Sequence, residues 1–134
     1  MSVRLRYRIE TSVSSSTADA KDLGNVCLDV MSDSPSEGGI WKTRIGAGVS
    51  ANIPLDSIST AVFLMLRIVA SDPTQTLTPV SVGLNGTASL SLAPVGTAKE
   101  ANFLMSAAGL TSLQIANTAA GAVSIDVTIG TCGD

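Results

Sequence analysis

The chain has 134 residues, of which 45% are hydrophobic, 14% charged and 3% aromatic, with a formal net charge of −3, two cysteines and no histidine. That apolar content excludes disorder caused by failure to bury a core, and the length fits one domain spanning residues 1–134. The acidic balance, with a pI near 4.7, argues against general nucleic-acid binding, and the missing histidine removes the commonest general base and metal ligand together.

In chain order, the first element is "VRLRYRIET", residues 3–11, which alternates so that Val3, Leu5, Tyr7 and Ile9 face one way and Arg4, Arg6, Arg8 and Glu10 the other. Such period-two alternation predicts a strand. Its arginines are about 6.5 to 7 Å apart by strand geometry, and a row of that kind repels itself unless anions face it. Glu10 alone cannot neutralise three guanidiniums, so Arg4, Arg6 and Arg8 are expected to form a docking strip for an acidic partner surface or a neighbouring copy. The simpler reading is a solvated edge strand whose charge discourages unwanted pairing.

Residues 12–22, "SVSSSTADAKD", show no sustained period and read as a loop. A second strand follows at 24–32, with Val26, Leu28 and Val30 against Cys27, Asp29 and Met31, and then a turn-rich connection at 33–39 containing Pro35, Gly38 and Gly39. Asp29, Asp33 and Glu37 lie four apart, a spacing that fits no EF-hand loop and reads as solvated acidic residues, with no metal expected.

Two short strands, "IWKTRIG" and "VSANIPL", flank residues 46–48, and Pro54 places the end of the second at a sheet edge or strand terminus. Trp41, the only tryptophan, stands beside Lys42 and Arg44. A half-buried tryptophan next to cations is both a common core filler and the composition of an interface hot spot, so these three join the candidate contact residues.

Residues 59–71, "STAVFLMLRIVAS", are the most apolar segment, yet the run at 61–70 is about half the roughly 20 residues of a spanning helix and Arg67 interrupts it. No membrane span is expected. β-Branched content favours a strand with Val62, Leu64, Leu66 and Ile68 on one face and Phe63, Met65, Arg67 and Val69 on the other.

Residues 78–94 carry the strongest local signal: two alternating runs around Asn85-Gly86, the dipeptide that suits both positive φ angles of a type I′ hairpin turn. The sequon formed with Thr87 is explained by that turn. Strands at "ANFLMSA", "TSLQIAN" and "AVSIDVTIG" complete the list, parted by "AGL" and "TAAG" turns, with Val123, Ile125, Val127 and Ile129 inward in the last. About nine or ten short strands with regular turn signals predict an all-β, single-domain β-sandwich of Greek-key or jelly-roll type.

No G-x-S-x-G, P-loop or dinucleotide fingerprint is present, and no cofactor is expected. Cys27 and Cys132 have no C-x-x-C spacing, and with no signal-peptide-like stretch at the start both are expected as free thiols in a chain made in the cytoplasm. Low charge with a mean hydropathy of +0.39 is unusual for a soluble monomer, so part of the surface is expected to be covered by neighbouring molecules.

"VSVGLNGTASLSLAP" followed by "NFLMSAAGLTSLQIANTAAGAVSIDVTIG" resembles the small β-sandwich virion proteins of tailed bacteriophages, the class of head decoration (cement) proteins and other head or tail accessory subunits. The resemblance covers about half the chain through the Asn-Gly hairpin, the "GLTSLQIAN" run and the alternating last strand. It implies a non-enzymatic virion subunit that stabilises the particle through contacts with the major capsid protein or other virion subunits, commonly as a homotrimer. It transfers no functional residue. A carbohydrate- or receptor-binding module, with Trp41 and Tyr7 as stacking platforms, is the alternative. An enzyme working through paired carboxylates is a third reading, without a pair to nominate.

Overall fold

The computed structural model describes residues 3–14, 22–33, 35, 37–55, 58–86 and 88–134. Among these the protein is all-β. Ten strands run as β1 (Leu5–Ser14), β2 (Asp22–Ser32), β3 (Glu37–Ile45), β4 (Val49–Ile53), β5 (Ala61–Ala70), β6 (Val80–Leu84), β7 (Ala88–Leu92), β8 (Glu100–Leu110), β9 (Leu113–Asn117) and β10 (Ile125–Gly133). Among the described residues no helix is long and apolar enough to cross a membrane.

Eight strands form two four-stranded antiparallel sheets, ordered β3-β10-β5-β8 and β4-β9-β6-β7, and β1 pairs with β2 in a separate two-stranded ribbon. From β3 onward the chain passes from sheet to sheet at nearly every connection, only β6 and β7 being consecutive neighbours. This is the jelly-roll order of a β-sandwich.

The inner faces follow from the alternation. Leu64, Leu66 and Ile68 of β5 and Ile125, Val127 and Ile129 of β10 are fully buried, against Val80, Val82 and Ile115 of the opposite sheet. Each such side chain contributes roughly 1.5–3 kcal/mol on removal from water. On the outer face of β5, Met65 and Val69 are half-buried and Arg67 is exposed, while Phe63 is buried beneath β1. Val62, expected with the inner row, is half-buried. It stands where the β5–β8 register shifts between Ala61 and Phe63.

The Asn-Gly hairpin forms as expected, with φ of 55° at Asn85 and 73° at Gly86. Asn85 also reaches across the sandwich end. Its Nδ2 donates to the Gly109 carbonyl at 2.8 Å and its Oδ1 accepts from the Thr111 amide at 2.8 Å, so this asparagine fastens the β6–β7 turn to the β8–β9 turn.

Four boundaries differ from the sequence expectation, the first being the start of β3, which takes in Glu37, Gly38 and Gly39 of the expected connection at 33–39. The "AGL" residues 108–110 do not reverse the chain but end β8, with Gly109 at φ 97° in the irregular stretch; Thr111 and Ser112 make the turn. The last strand starts at Ile125 instead of residue 122, because Val123 and Ser124 belong to the loop bonded to neighbouring segments. Strands β1 and β2 reach into the segment expected to be a loop at 12–22, whose residues 15–21 lie outside the described residues, as do Ser34 and Ser36 of the following connection.

Asn117, at the end of β9, is fully buried, the one such polar side chain among the described residues. Its Nδ2 donates toward the carbonyls of Val123 at 2.7 Å, Gly46 at 3.1 Å and Ile45 at 3.4 Å, and its backbone carbonyl accepts from the Gly48 amide at 2.8 Å. One side chain thereby satisfies carbonyls in the β3–β4 corner and the β9–β10 loop, which would otherwise be buried unpaired. Asn117→Ala is expected to lower unfolding free energy by about 1–3 kcal/mol in urea denaturation, and Asn117→Asp by more, since a carboxylate would face carbonyl oxygens. Equal stability of all three proteins would contradict this role.

Candidate protein-protein interface

The β1–β2 ribbon is an arm. Its two strands pack mainly on each other, in a register that sets Tyr7 opposite Val30, Ile9 opposite Leu28 and Arg8 opposite Asp29. Residues directly opposite share a face, so Leu5, Tyr7, Ile9, Leu28 and Val30 form an apolar side, and Arg4, Arg6, Arg8, Glu10, Cys27, Asp29 and Met31 the other.

Strand β1 attaches the arm to the sandwich. Tyr7 stacks on Phe63 with ring centroids 5.0 Å apart, and the Val3 amide donates to the Pro35 carbonyl at 2.9 Å. A cleft of about 290 Å³ remains beneath, lined by Val3, Leu5 and Tyr7 on one side and by Ile40, Phe63 and Met65 on the other. Among the described residues none of β2 lines it. Leu28 is 46% exposed, Val30 38% and Met31 60%, and Ile40 beside the cleft is 74% exposed. Four of the seven large hydrophobic side chains exposed among the described residues thus lie in or next to the arm.

The arginine row is paired within the chain. Arg4 Nε donates to Asp33 at 2.6 Å, Arg6 lies 3.6 Å from Asp29, and Arg8 bonds Glu10 at 2.6 Å. The carboxylates missing from the strand's own sequence come from β2 and the residue just after it. All of these side chains are largely exposed, so each pair adds little to stability. Their main effect is to cancel charge: three cations meet three anions on one face. Asp29 and Asp33, read from sequence as part of an acidic loop, are these partners.

Trp41, Lys42 and Arg44 lie on β3, an edge strand, and alternation divides them. Trp41 is half-buried and packs on the core, whereas Lys42 and Arg44 are exposed on the outer face. Arg44 Nε bonds Asp126 at 2.8 Å, and Arg67 on the same face pairs with Glu100. Lys42, Arg44, Arg67 and Asp126 line a shallow groove of about 350 Å³ with Thr128 and Val69. A second cleft of about 300 Å³ opens between β3 and β4, both edge strands, with Trp41, Ala51 and Ile53 in its wall. The six residues expected at a contact surface therefore occupy two places, the arm and β3.

Hydrogen bonding sets the local electrostatics. The bond from Arg4 holds the Asp33 carboxyl below its ordinary value and raises the guanidinium. Arg44, helped by Ser71 Oγ at 2.9 Å, does the same to Asp126. Burial pushes the Cys132 thiol up; Cys132 and the exposed Cys27 are both free. Among the described residues no group of three or more metal-ligating side chains converges.

No family model matches the chain, and neither a curated protein nor a solved structure is significantly similar to it. The surface is therefore read from its own chemistry. What sequence reasoning missed here is Ile40 and the exposed row of β2. The alternation of Leu28 and Val30 was visible, but only the pairing with β1 places them beside Ile9 and Tyr7 on an arm.

Depressed carboxylate pKa values fix the sign of the acid response. Asp33 and Asp126 stabilise the fold above their unfolded value of about 3.9, and that contribution disappears as pH falls through their lower folded values. The denaturation midpoint is expected to be flat from neutral pH to about pH 5 and to fall below about pH 4. The double variant Asp33→Asn, Asp126→Asn should show a shallower acid limb. An unchanged limb would remove these two pairs as its cause.

Proposed function

We propose that the chain is a non-enzymatic structural subunit of a virion, of the capsid decoration (cement) kind, acting through protein–protein contacts with the major capsid protein or other virion subunits. The observation that carries this reading is the arm: a ribbon with one apolar side, joined to the sandwich along β1 and uncovered along β2. A lone two-stranded ribbon is marginal in water, and exposed apolar rows of this kind mark contact surfaces. The jelly-roll architecture accords with the reading, since that fold serves viral capsid subunits, although a fold by itself selects no function. The resemblance in the C-terminal half points the same way and supplies the homotrimer as the implied assembly.

Quantitative mass spectrometry of particles purified from the source is the test. The chain should be present at a fixed ratio to the major shell protein, and a salt wash should leave it bound if the apolar row dominates, because screening weakens only ionic contacts. Absence from particles at low and high salt alike would overturn the proposal.

A carbohydrate- or receptor-binding module is the second reading, favoured by the cleft between β3 and β4 with Trp41 in its wall. Jelly rolls also build lectins. On that reading a glycan array should give a signal that Trp41→Ala abolishes, and a signal indifferent to the substitution would count against it.

A further inference from the structure

We infer that two copies of the chain join through their arms, β2 of one pairing antiparallel with β2 of the other to make a continuous four-stranded sheet. This deepens the subunit reading by naming a copy-to-copy contact, and it puts a two-fold pairing in place of the homotrimer implied by the resemblance.

Among the described residues each strand of the ribbon pairs on one side, the two-stranded sheet ending at β1 and at β2, which leaves the outer edge of Cys27 to Met31 open. Free edges present unpaired N–H and C=O groups and template further pairing unless something blocks them. Charge blocks β1. A two-fold axis at Arg6, Tyr7 or Arg8 would set at least one arginine opposite an arginine of the second copy, because these cations alternate along the strand, and like charges directly opposite destabilise a sheet. Strand β1 is also the side lying over the sandwich, where it lines the cleft against β3, β5 and β10 residues.

Strand β2 carries no such guard along Cys27 to Met31. With the two-fold at Leu28, Leu28 meets its own copy and Cys27 faces Asp29, so no like charges oppose each other. Leu28 and Val30 then continue one apolar row across both copies, beside Ile9 and Tyr7 of each β1. Self-pairing of this sort is isologous and closes. The arm's charged face favours an identical partner over a charged one: Arg4, Arg6 and Arg8 are matched by Asp33, Asp29 and Glu10, so it asks for no partner of opposite sign and a like copy meets no net repulsion. Four strands sharing an apolar side also meet the count at which a small sheet becomes independently stable.

The pairing fixes a distance. Cys27 of the two copies would sit two residues apart along adjacent strands, roughly 8 Å between Cα atoms from strand spacing and rise, within reach of a short bismaleimide.

Sedimentation equilibrium of the purified full chain over a wide concentration range, with thiol cross-linking of the same samples, tests this. The expected results are dimers or even multiples, a cross-linked dimer lost in Cys27→Ser and kept in Cys132→Ser, and loss of association in Leu28→Arg with the thermal midpoint unchanged. Wild-type monomers throughout, an assembly of three alone, or association without a Cys27 cross-link would overturn it; if Leu28→Arg fails to fold, the cross-link decides. Particle binding by wild-type monomers would sink the arm pairing and keep the virion reading, whereas dimers absent from particles would do the reverse. A Cys27 cross-link to the shell protein, in place of one between copies, would assign the β2 edge to that partner and overturn the inference.

Discussion

Everything in this molecule depends on the burial of one row of side chains from each sheet against the other. Strand β10 is hydrogen-bonded on both sides, to β3 and to β5, and its Ile125, Val127 and Ile129 have no exposed surface. A one-residue slip of β10 would turn these three outward and bring Asp126 and Thr128 into the core. The register is therefore fixed by apolar burial, and that register holds Arg44 beside Asp126 and Thr131 Oγ1 at 2.8 Å from the Phe63 carbonyl. The ion pairs and hydrogen bonds of the outer face are consequences of the inner one.

The arm is organised differently, and that difference gives it functional weight. Its strands pair with each other along one edge each, and among the described residues its apolar side has only the Tyr7–Phe63 stack and the residues under β1 to cover it. The sandwich would keep its core without the arm, since no arm residue belongs to the main buried cluster. An element dispensable to the core yet carrying exposed leucine, valine and methionine is where contact with another molecule offers the largest gain in buried apolar area for the least disturbance of the fold.

Much of the fold was legible because its signals are local. Alternation marked β5, β6 and β10, and Asn85-Gly86 carried its turn geometry in the residue types themselves. The jelly-roll order was anticipated only as a class, for nothing in a strand's own sequence says which distant strand will lie beside it. The β8 end shows the same limit: "AGL" was read as a turn, but whether its Gly109, at φ 97°, reverses the chain or kinks a continuing strand is decided by the partner, here β5 with its register shift at Ala61 and Phe63.

The arginine row illustrates how far charge can mislead when read along a single strand. Three guanidiniums at alternate positions imply an anionic partner, and that inference holds physically; the partner is supplied across the hairpin, by Asp29 and Asp33. Once the row is neutralised, the reason for a docking surface moves from its charge to the apolar side behind it. The arginines keep a role even so, because they line one face of β1 with long charged side chains while β2 from Cys27 to Met31 carries Asp29 as its one charge. Asymmetry of that kind directs any added strand to a single edge, which is how a two-stranded ribbon acquires a defined contact in place of indiscriminate pairing.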